Sequence, residues 1–198
     1  MSATPEQLLA AGLAHHRDGD LGAAARVYHQ VLQREPDHAR ACHLLGQVHA
    51  QTGDVTNAFV LIGRALRIDP TLAEAHHDFG ALHRQQGQWA EAALSYRNAV
   101  AADPALARAW ADLGFALRAT GDDAGAIDAL QRAIAREPGR IAAQFELGCA
   151  FDAVGRADEA AAAYRAVLAR HPRHAGALAG LSGPVGVTSG DSPGPGNR

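Results

Sequence analysis

Apolar residues in this chain recur at three-to-four spacing in short runs, separated by polar breaks that carry glycine or proline. Phe59, Ile62 and Leu66, and again Trp89, Ala93, Tyr96 and Val100, each trace one buried stripe of a helix. Arg64, Arg97 and Arg132 fall on the opposite faces, where solvent is expected. The runs come in pairs. Between Ala107 and Arg140 the pattern predicts a helix near 107–120, a turn at Gly121-Asp122, a second helix near 123–136 and a stop at Pro138.

That pair is repeated along the chain. Pro36, Pro70, Pro104, Pro138 and Pro172 stand 34 residues apart. The columns Gly12, Gly46, Gly80, Gly114, Gly148 and Gly19, Gly53, Gly87, Gly121, Gly155 keep the same period, as do Ala24, Ala58, Ala92, Ala126 and Ala160. A period of this length marks a solenoid. Each column has a cause. Proline removes an amide donor and ends a helix, and the second glycine column sits where a left-handed cap is required. The first glycine column lies inside helices at a cost of about 1 kcal/mol relative to alanine. The expectation is that Gly114 and Ala126 are the small contacts between paired helices.

Trp110, Leu113, Gly114, Ala126, Leu130 and Pro138 resemble the tetratricopeptide repeat, W-x2-L-G-x2-Y…A-x3-F…P, over about Pro5 to His174. The departures are few. The tryptophan position otherwise holds Leu8, Cys42, His76 and Gln144, and the tyrosine position holds His15, His49, His83, Leu117 and Phe151. The resemblance implies an all-α, right-handed α-α superhelix of five helix-turn-helix repeats. Expected boundaries are an N-terminal cap at 1–4, repeats at 5–38, 39–72, 73–106, 107–140 and 141–174, an aborted capping helix at 175–182 and a disordered tail at 183–198. Thr4 and Gln7 read as one capping box, Thr71 and Glu74 as a second, and Asp37 as a further cap. The short final segment is expected to leave Tyr164, Val167 and Leu168 partly bare, which points either to the front section of a longer protein or to self-association through that end.

Composition narrows the function classes. Net charge is −3 with pI near 6.4, and no basic stripe invites nucleic acid. The start lacks a signal-peptide pattern, no apolar run spans a membrane, and Cys42 and Cys149 lie too far apart to bridge, so a bacterial, cytoplasmic protein is expected. No nucleophile, phosphate-loop or metal-ligand motif is present, so neither enzyme activity, cofactor nor metal is expected. His15, His49 and His83 read as half-buried packing histidines. His43 and His77 point into the groove, whose charge could change between about pH 5 and 8 through them.

In the resembling family the first helix of each repeat lines the concave groove. By position, this implies partner-binding roles for Arg40, His43, Gln47, His77, Asp78, Arg84, Arg108, Asp112, Phe115, Arg118, Phe145, Glu146, Cys149 and Asp152. Glu74 and Gln85 share those columns. The sixth column, Leu44, Asp78, Asp112, Glu146, is acidic where some relatives carry asparagine, which favours a partner with basic residues. Lysine is absent from the chain, so a lysine-and-asparagine carboxylate clamp is not expected. The functional expectation is a scaffold holding a peptide or helix of another protein. An alternative is a detached substrate-recognition segment of a bacterial glycosyltransferase, sulfotransferase or methyltransferase, which similar repeats precede.

Overall fold

A computed structural model describes residues 3–182, which form eleven α-helices and no strand. Five hairpins follow one another: α1 (Pro5–Arg17) with α2 (Leu21–Arg34), α3 (Ala39–Gln51) with α4 (Val55–Ile68), α5 (Ala73–Gln85) with α6 (Trp89–Ala102), α7 (Ala107–Ala119) with α8 (Asp123–Arg136), and α9 (Ile141–Ala153) with α10 (Ala157–Arg170). The short α11 (Ala175–Ser182) closes the row. The expected tail at 183–198 lies outside the described residues. Among those described, no helix is long and apolar enough to cross a membrane.

The five turn glycines adopt φ between 73° and 83°, the left-handed conformation that lets each hairpin close. Inside the hairpins the alanine column is buried at every repeat. The contact to Gly114, however, is Leu130 and not Ala126: a Cβ at Gly114 would meet the Leu130 side chain at 2.5 Å. Tyr28, Ile62, Tyr96 and Tyr164 oppose Gly12, Gly46, Gly80 and Gly148 in the same way. The glycine column therefore makes room for one large side chain of the second helix.

The helix starts differ from expectation in two places. Thr4 and Gln7 do form a capping box. At α5 the N-cap is Leu72 with no side-chain bond, because the Thr71 amide and hydroxyl both donate to Asp69 Oδ1 (2.9 and 2.7 Å). At α3 the cap is His38, whose Nδ1 accepts the Ala41 amide, while Asp37 pairs with Arg64. The turns between hairpins are fastened by the tryptophan position: Trp110 Nε1 donates to the Pro104 carbonyl (3.0 Å), and His76 Nε2 to that of Pro70 (2.9 Å). In the tyrosine column His49 and His83 bond Asp54 and Gln88, which cap the next helices, whereas His15 is exposed and not half-buried.

At the far end Tyr164 is 3% exposed and Val167 is fully buried. Of the expected bare end, Tyr164 and Val167 are covered because α11 presents Gly176 and Gly180, against which the Phe145 and Tyr164 rings pack, while Leu168 stays partly exposed as expected.

Candidate binding groove

The first helices of neighbouring hairpins touch one another, α3 with α5, α7 with α9 and α9 with α11. Neighbours crowd on the inner side of a curved stack, which makes these helices the inner wall. The predicted site residues lie on them, but half of them, His43, Gln47, His77, Asp78, Asp112, Arg118 and Glu146, are bonded to each other.

A chain of imidazoles and carboxylates crosses three hairpins. His43 Nε2 donates to Asp78 Oδ2 (2.7 Å), and Gln47 Nε2 donates to the same oxygen (2.6 Å). His77 faces a carboxylate from each ring nitrogen, Nδ1 to Asp78 Oδ1 (3.4 Å) and Nε2 to Asp112 Oδ2 (2.8 Å). A carboxylate only accepts, so His77 between two of them is an imidazolium. Burial pulls its pKa down, but the bonds to Asp112 and Asp78 outweigh it and hold the value at about 9. The expected change of groove charge between pH 5 and 8 does not occur at His77. Burial likewise pushes the Asp78 carboxyl up, and bonds from His43, His77 and Gln47 reverse this and hold it well below the usual range. His43 is 5% exposed. It is a rung within the wall and not a free contact residue.

The chain continues by other means. Arg108 pairs with Glu74, and Arg118 with Glu146 and Asp123. Asp152 accepts the Tyr164 hydroxyl (2.6 Å), which also faces Cys149 Sγ. Phe115, Phe145 and Cys149 are half-buried against the core, with the Phe145 ring 4.7 Å from His174. These residues hold the wall together. Burial pushes the Cys42 and Cys149 thiols up, away from nucleophile chemistry. Among the described residues no group of three or more His, Cys, Asp or Glu is placed to hold a metal ion.

One open cleft of about 440 Å³ lies between α3 and α5. Its floor is apolar, with Ile62 and Leu82, and its polar lining is Gln47, Gln51, Arg84, Gln85 and the Asp78 carboxylate already engaged by the imidazoles. Arg84 is exposed. Nearby, the fully buried Tyr96 hydroxyl lies beside Arg84, and burial and Asp112 together outweigh that cation and push its pKa up to about 12. Gln51 was missed in the sequence, although it occupies the same column as Gln85.

The tetratricopeptide repeat profile matches residues 9–73 and 145–183, more than half of the chain. Related repeat profiles match 80–121 and 107–148. Curated protein sequences give no match. Among solved structures, the crystal structure of MamA protein is 26% identical with a TM-score of 0.74, covering 87% of this chain and 94% of that one. MamA from Desulfovibrio magneticus RS-1 is 23% identical with a TM-score of 0.74, over 88% and 99% of the two chains. YrrB, described as a TPR protein with an unusual peptide-binding site, shares the fold at 17% identity and a TM-score of 0.78, over 90% and 92%. None of these matches is a transferase, so they lend no support to kinship with transferase-preceding segments. The chain belongs to the tetratricopeptide repeat family.

Proposed function

We propose that the chain is a non-catalytic scaffold that holds a peptide or helix of a partner protein against the wall formed by α3, α5 and α7. The observation that carries this is the cleft between α3 and α5. It combines an apolar floor with a lining of amides, one guanidinium and the Asp78 carboxylate, which His43, His77 and Gln47 already engage. A floor of that kind supplies affinity through burial, and the rim fixes orientation. The fold is shared with YrrB, a TPR protein with an unusual peptide-binding site, and this favours a peptide as occupant. Of the residues expected to bind, Gln47 and Arg84 are the ones that reach this cleft with donors available. Phe115, Phe145, Arg118 and Glu146 serve first to join the repeats.

The rival surface is the outer one, where Val60 and Leu94 occupy equivalent repeat positions and are each 59% exposed. A photo-crosslinking residue placed at Gln85 should yield a partner adduct in extract of the native cell, and the same residue at Leu94 should not. An adduct from Leu94 and none from Gln85 would overturn the groove as the binding face.

A further inference from the structure

The charges of the inner wall divide into engaged and free ones. From α3 onward its carboxylates are engaged: Asp78 and Asp112 accept from imidazoles, Glu74 faces Arg108, Glu146 faces Arg118, and Asp152 accepts from Tyr164. Among the described residues, Arg17, Arg40 and Arg84 are exposed and have no carboxylate in ion-pair range. Two of them line clefts. Arg84 rims the cleft between α3 and α5, and Arg17 lines a second one between α1 and α3, together with Leu13, Leu44 and Gln47. Gln47 borders both. The wall thus carries two adjoining clefts, each with apolar residues and one guanidinium outside any ion pair, the first also lined by the engaged Asp78 carboxylate.

A planar fork of N–H donors over an apolar floor matches a carboxylate in geometry and charge, and repels an ammonium group. The whole chain has a net charge of −3, so this positive stretch is local. We propose that the occupant is an acidic segment of the partner protein. Its aspartate or glutamate side chains enter the two clefts and pair with Arg17 and Arg84. This assignment rests on the groove reading above, and it reverses the expectation of a basic partner. That expectation came from an acidic column whose members the histidines and Arg118 close off. Packed helices lie about 8–10 Å apart, and an extended chain advances about 3.3 Å per residue. Arg17 on α1 and Arg84 on α5 are separated by two such spacings, so the two acids stand about five to six residues apart.

The test is to pan phage-displayed random dodecapeptides on the immobilised full chain and measure the selected peptides on two exposed-site variants. Arg84→Gln removes the charge, and Gln85→Trp crowds the cleft mouth without changing it. Circular dichroism confirms that both variants stay folded. The expected peptides carry two acidic residues about five to six apart and bind about tenfold more weakly to each variant. Selection of basic or uncharged peptides weakened by Gln85→Trp alone would overturn the acidic occupant and leave the groove reading standing. Peptides indifferent to both variants would overturn both. Tighter, Arg84-dependent binding of single-stranded oligothymidylate than of any selected peptide would replace the acidic protein segment by nucleic acid.

Discussion

Gly80 has no room for a methyl group. A Cβ there would stand 2.7 Å from the Tyr96 ring, and the ring is fully buried and cannot yield. Gly63, also helical, would place its Cβ no closer than 3.7 Å to the Phe79 ring. Urea denaturation should therefore separate two chemically identical changes. Gly80→Ala is expected to lose about 1–3 kcal/mol by overpacking, and Gly63→Ala to gain up to about 1 kcal/mol from helix propensity. Equal effects would contradict the contact assigned to the glycine column. The column itself was legible in the sequence, because its period is strict. Its partner was not: Ala126 is equally periodic, and only the crossing of the two helices puts Leu130, one turn further on, over Gly114.

At the scale of elements, helix positions were legible to within about a residue because proline stops and turn glycines punctuate every repeat. Caps were less so. Thr71 is followed three positions later by an acid, yet Asp69 captures both of its donors and the helix begins one residue on. Links between elements were the least legible. His43 bonds Asp78 and His77 bonds Asp112, both across 35 residues, one more than the period. A reading by columns compares equivalent positions and overlooks that offset. These links predict a pH dependence. The folded His77 value of about 9 exceeds the ordinary 6.5, so its stabilisation is complete below about pH 6.5 and is lost as pH rises through 9. The melting temperature should fall between about pH 7 and 10, and His77→Gln should flatten that limb. A wild-type limb already as flat as the variant's would remove the imidazolium from the account. Asp78, held low, acts in the opposite sense, and its contribution disappears in acid.

On the whole-molecule scale the core is divided. One apolar cluster joins α1, α2 and α3, a second joins α4 and α5, and the largest runs from α6 to α11. The largest depends on its lid. Ala177 is fully buried, and Gly176 and Gly180 bring α11 close to Phe145 and Tyr164. Ending the chain after His174 should uncover those rings, lower the melting temperature by several degrees and promote association on sizing. An unchanged melting temperature would show that α11 contributes nothing. Composition hid this lid, since eight residues rich in alanine and glycine look too slight to cover a helix pair.

The imidazole–carboxylate chain also fixes a length. By bolting α3 to α5 and α5 to α7, it holds the Arg84 cleft at one width when the stack flexes. The Arg17 cleft has α1 as its other side, which the chain does not reach, so a partner is gauged at one end and given play at the other.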